Sequence, residues 1–132
     1  MNLTAIINKY ADQIGGTFTE YDEHKCIIVV PLRDNRFQTV LALTEKSKVS
    51  GRTRAVFVSK VSDSVNEIDT AELLKVHANF DYSKFVIEDG NLKVVASCLA
   101  EAASEEEVKF MVQEVAQLAD QYEYKLTGKD IH

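Results

Sequence analysis

Leu3, Ile6, Ile7, Tyr10, Ala11 and Ile14 fall at the three- and four-residue intervals of one helix face. Gly15-Gly16 follows, where a left-handed residue commonly closes a helix. The pattern then shortens to strands. TFTEY, KCIIVVPL, FQTVLALTEK and RTRAVFVSKV are separated by DEH, RDNR and SKVSG, which are rich in chain-turning residues, and predict an antiparallel meander of four strands. Asp69, three positions before Glu72, suits the cap of a short helix through LLKVHANF. SKFVIEDGNLKVVASCL then reads as two strands hinged on Asp89-Gly90. Ser104 and Glu107 make a capping box ahead of a long helix, in which Val108, Met111, Val112, Val115, Leu118, Ala119, Tyr122 and Leu126 form one apolar stripe. Gly128 is expected to end that helix.

The predicted order is α-β-β-β-β-α-β-β-α, an α+β class built on an antiparallel sheet, in a single domain spanning 1–132. A chain of 132 residues, with 45% hydrophobic and 27% charged positions, one Pro and five Gly, has an ordinary globular composition and is expected to build one core.

The strands raise a question about their two faces. With Asp89-Gly90 as a two-residue turn, Ile87 faces Leu92 and Phe85 faces Val94 on one side of the sheet, and Ala96 and Cys98 continue that side. The first and last helices are expected to lie there. Val86, Val95 and Leu99 point the other way, and in CIIVVPL and RTRAVFV both alternating sets are apolar. An antiparallel sheet with one wet face should alternate apolar with polar instead. Either the middle helix, carrying Leu73, Leu74, His77 and Phe80, wraps over this second face, or a partner covers it. That partner would be a second copy of the chain, or an extended peptide added at a sheet edge.

Charge and chemistry narrow the function. A net charge of −6 and a pI near 5.0 repel a phosphate backbone, so nucleic acid is not an expected partner. The opening residues lack a basic leader and a cleavage site, and no apolar run reaches membrane-spanning length, so a cytoplasmic protein without membrane contact is expected. Cys26 and Cys98 lie in strand-like segments and read as reduced packing cysteines. His24, His77 and His132 stand far apart, without the paired spacing of a metal site, and His77 reads as a hydrogen-bonded core or interface histidine. No G-x-S-x-G, P-loop or G-x-G-x-x-G occurs, so no catalytic residue and no cofactor is expected. Glu101, Glu105, Glu106 and Glu107 suit a helix dipole better than paired catalytic carboxylates. Residues 46–60 hold Lys46, Lys48, Arg52, Arg54 and Lys60 with no acid, either protecting a sheet edge, the favoured reading, or docking an acidic partner segment.

Leu73-Leu74 followed by Ala78-Asn79-Phe80, the hairpin KFVIEDGNLKVVAS and the closing SEEEVKFMVQEVAQLADQYEYKL together resemble the bacterial YbjN family of sensory-transduction regulators, whose fold is shared with type III secretion chaperones. Residues 73–126 carry the resemblance, and the order of elements extends it over most of the chain. It implies a small acidic α+β protein without enzymatic activity that pairs with itself. In the secretion chaperones, sheet and helix surfaces bind an extended stretch of a client. Leu73, Leu74 and Phe80 match the family's middle helix, often at the dimer interface, and with Val86 and Val95 they form the expected partner or dimer interface. The expectation is therefore a non-enzymatic, homodimeric module binding a protein or peptide. The alternative is a small-molecule-binding or enzymatic domain with a cavity between the sheet and the long C-terminal helix, lined by Tyr10, Tyr122 or His77.

Overall fold

The computed structural model describes residues 2–66 and 68–127, so Gly128 and His132 lie outside the described residues. Helix α1 (Leu3–Ile14) is capped by Asn2, whose Oδ1 accepts from the Ala5 amide at 3.0 Å, and it closes at Gly15 with φ 71°. Gly16 answers a different constraint. A Cβ at Gly16 would sit 2.3 Å from the Val29 carbonyl oxygen, so only glycine lets the chain run this close to its neighbouring strand.

The strands are β1 (Thr17–Asp22), β2 (Lys25–Pro31), β3 (Phe37–Lys46), β4 (Thr53–Ser62), β5 (Ser83–Glu88) and β6 (Asn91–Leu99). Helix α2 (Thr70–Val76) separates β4 from β5, and α3 (Glu105–Thr127) follows β6. This is the expected order, with added 3-10 turns at Arg33–Asn35 and His77–Asn79. Asp69 accepts from the Glu72 amide at 3.2 Å. The Ser104 box is reciprocal, with the Glu107 amide donating to Ser104 Oγ at 3.1 Å and the Ser104 amide donating to Glu107 Oε1 at 3.2 Å. Asp89 (φ 52°) and Gly90 (φ 77°) supply the two left-handed residues of a tight hairpin, and Ile87 pairs with Leu92 and Phe85 with Val94 as the pattern predicts.

One antiparallel sheet results, in the order β1-β2-β3-β4-β6-β5. The hairpin pairs with β4 through its second strand, so β6 is interior and β5 is an edge. Strands β3 and β4 are interior too, which overturns edge protection as the reason for the basic stretch 46–60. Three of its cations are paired within the chain: Arg52 with Glu101, Arg54 with Glu45, and Lys60 with Asp63.

All three helices serve the same core. Cys26, Ile28 and Val30 of β2, Val40 and Ala42 of β3, Ala55, Phe57 and Val61 of β4, and Leu92, Val94 and Ala96 of β6 are buried together with Leu3, Ile7 and Ala11 of α1 and the α3 stripe from Val108 to Tyr122. Leu73 of α2 joins this cluster, and Phe80 packs against it. Middle helix α2 therefore lies on the side of α1 and α3, and the idea that it wraps over the opposite face is incorrect. The reason lies in its C-terminal turn. His77 stacks on Phe85 (centroids 5.5 Å apart) and Phe85 meets Tyr122 edge-on at 4.8 Å, which ties the segment to α3.

The same segment covers the β5 edge. His77 Nε2 accepts the outward Phe85 amide at 2.9 Å. Glu114 of α3 accepts from the amides of Asp81, Tyr82 and Ser83 at 2.8–2.9 Å and from the Ser83 hydroxyl at 2.7 Å. Burial pushes the Glu114 pKa up, but the Ser83 hydroxyl and the three amides together outweigh it and hold the carboxyl below the ordinary range.

Two outcomes follow from this packing. Gly16→Ala should cost about 1–3 kcal/mol in chemical denaturation, because the chain must move off Val29, and wild-type stability would contradict the close approach. Glu114→Gln should lose stability at neutral pH. The native pKa lies below the unfolded value of about 4.3, so the carboxylate's contribution is complete above that value and disappears as pH falls through the native one. Urea melts should therefore converge for the two proteins in acid, and a pH-independent gap would argue against the charged cradle.

Candidate interaction surface

On the face turned away from the helices, strand register aligns side chains into rows. Ile27, Leu41, Val58 and Val95 are successive cross-strand partners on β2, β3, β4 and β6, making one aliphatic row across the middle of the sheet. Leu43 pairs with Val56 in the row beside it, and Val29 stands beyond Ile27 on the other side. Val56 and Val95 are 5% and 7% exposed, shielded by neighbouring side chains, whereas Ile27, Val29, Leu41, Leu43 and Val58 are half-buried. Among the described residues no helix lies over them.

The rim of this block is cationic. Lys25, Arg54, Lys60, Lys84 and Lys93 alternate with core-facing neighbours and so share the helix-free face, against three acids, Asp22, Glu45 and Glu88. That balance is opposite to the chain's net charge of −6. Lys60 and Lys93 are direct cross-strand partners, a like-charge pairing that disfavours the sheet by itself. Lys93 reaches Glu88 at 3.2 Å, and Lys60 pairs with Asp63. Between the lysines and the aliphatic row lies a depression of about 320 Å³ lined by Thr39, Leu41, Val58, Lys60 and Lys93.

The five residues expected at an interface do not form one patch. Val86 and Val95 lie on the helix-free face, with Val86 paired to Lys93 and Val95 to Lys84. Leu74 projects from α2 at 67% exposure. Leu73 is 8% exposed in the core, and Phe80 packs against His77 and Phe85. The Lys60–Lys93 juxtaposition has no signature in the sequence, because nothing local announces that β4 pairs with β6. Glu114 has none either, as one polar position on a helix face that carries many.

The groups expected to converge in a cavity beneath α3 are engaged elsewhere. The Tyr10 hydroxyl donates to Gln113 Oε1 at 2.7 Å, His77 accepts the Phe85 amide, and Tyr122 packs on Phe85. No cluster of three or more His, Cys, Asp or Glu suited to a metal occurs among the described residues. No helix among them is long and apolar enough to cross a membrane. Cys26 and Cys98 are free thiols. Burial, reinforced by Glu20, pushes Cys26 up to about 11. Burial and Glu107 also raise Cys98, against an opposing hydrogen bond at Ala55.

No protein-family model matches the sequence, and no curated protein matches it. Solved structures do match. The chain is similar to one in the crystal structure of the ExsC–ExsE complex, with 16% identity and a TM-score of 0.62 over 94% of this chain and 92% of that one. A chain of the HopA1–SchA chaperone–effector complex is similar at 12% identity and TM-score 0.58, covering 92% of this chain and 94% of that one. YbjN from E. coli is similar at 16% identity and TM-score 0.52, covering 92% of this chain and 90% of that one. The fold is the one shared by YbjN and the type III secretion chaperones, as the sequence resemblance implied.

Thiol chemistry checks the packing around this surface. Cys26 in the native protein should resist a thiol reagent at mildly alkaline pH, where an ordinary thiol of pKa about 8.5 reacts, and should react fully in urea. Rapid native modification of Cys26 would contradict its burial.

Proposed function

We propose that the protein is a non-enzymatic polypeptide-binding module that works in the cytoplasm and associates with a second copy of itself. The observation that carries this reading is the aliphatic row Ile27–Leu41–Val58–Val95, which the chain's own helices leave uncovered. Covering apolar surface contributes about 25 cal/mol per Å², so a partner seated there gains what the fold leaves unused, less the cost of association.

Two further observations support it. The β5 edge has outward amides taken up by His77 and Glu114, whereas β1 is a largely exposed edge able to pair with an added strand. The similar folds include a chaperone–effector complex, so this architecture is compatible with holding another polypeptide. Val86 and Val95 then belong to the polypeptide-binding face. Leu74 is the exposed contact for self-association on α2, with Leu73 and Phe80 setting the helix from beneath.

Capture of interacting polypeptides from lysate should succeed with the wild type and fail with Val86→Asp and Val58→Asp, while circular dichroism finds both variants folded. Leu74→Asp should halve the mass seen by light scattering. An unchanged set of captured proteins would refute the binding face, and an unchanged mass would refute self-association through α2.

A further inference from the structure

Resting on that reading, we propose that the helix-free face recognises an extended acidic segment, seating an aliphatic side chain over Leu41 and Val58 and a carboxylate between Lys60 and Lys93. Three observations select this occupant. The central apolar block, from Val29 to Leu43 and across to Val95, spans three strand intervals of about 4.8 Å by two steps of about 6.8 Å, roughly 200 Å² in projection, with Phe37, Val86 and Leu99 bordering it. A standard interface buries about 800 Å² per partner, so the block suits a short segment better than a second globular copy.

Charge points the same way. Two copies meeting through this face would set lysine rims against each other, whereas an acidic segment relieves the like-charge pair Lys60–Lys93. The lysines' own partners, Asp63 and Glu88, are 65% and 61% exposed, and exposed ion pairs of this kind contribute little, so an incoming carboxylate can displace them. Shape completes the choice. The site is a hollow of about 320 Å³ rather than a protruding apolar ridge, which favours a peptide over an anionic bilayer.

The test is selection from a random-peptide display library on the wild-type protein, followed by titration of synthetic copies of the selected peptides. Aspartate or glutamate should be enriched next to Leu, Ile or Val. Affinity should fall roughly tenfold or more in Lys60→Glu/Lys93→Glu, less in Lys60→Gln/Lys93→Gln, and should weaken with salt. Circular dichroism confirms that each variant is folded. Selected peptides without acidic enrichment, or binding both charge variants like wild type, would overturn the acidic specificity and leave polypeptide binding standing. Failure to select any peptide would overturn both. Lys60- and Lys93-dependent sedimentation with phosphatidylserine vesicles, without peptide binding, would make the face a membrane contact instead. A dimer dissolved by Leu41→Asp would make it a self-interface. Either result overturns the proposal.

Discussion

A sheet has two faces, and here all three helices are committed to one of them. The aromatic contact of His77, Phe85 and Tyr122 enforces that commitment, because it fastens the segment after α2 to α3 and, among the described residues, leaves no helix for the reverse side. Burial of Leu73 beside it adds to the hold. Full burial of one aliphatic side chain contributes about 1.5–3 kcal/mol, so Ile27, Leu41 and Val58, left part-covered, hold a sizeable reserve of binding energy. The core gains from the one-sided placement of helices, and the uncovered face is its consequence.

The two sheet edges follow the same division. At β5, Glu114 and His77 engage outward amides, so growth of the sheet on that side is blocked by side chains from the helix layer. At β1 no comparable cover occurs among the described residues, and its side chains are mostly exposed. A partner approaching the sheet therefore meets one closed border, one open border and an aliphatic floor between them.

Features that depend on near neighbours along the chain are legible in the sequence. The Asp89-Gly90 hairpin, the Ser104–Glu107 box and the left-handed stop at Gly15 each need only a few adjacent residues. The surplus of apolar residues on both strand faces is legible for the same reason, as period-two alternation is local. Long-range features are not. Insertion of β6 between β4 and β5 places Lys93 beside Lys60, and it moves residues 46–60 from a supposed edge into the middle of the sheet. The side taken by α2 depends on how His77 meets Phe85 and Phe85 meets Tyr122, contacts that no helical periodicity encodes. For the interface residues, alternation assigns Val86 and Val95 to a face, while the opposite fates of Leu73 and Leu74 depend on which way α2 turns.

Ile27 and Ile28 are adjacent in sequence and lie on opposite faces, which makes them an internal control for the central claim. Methyl NMR on dilute protein with a soluble paramagnetic probe would compare Ile27, Leu41 and Leu43 with Ile28, Ile7 and Leu92. The account predicts strong relaxation enhancement for the first group and little for the second. Equal protection of Ile27 and Ile28 would contradict it.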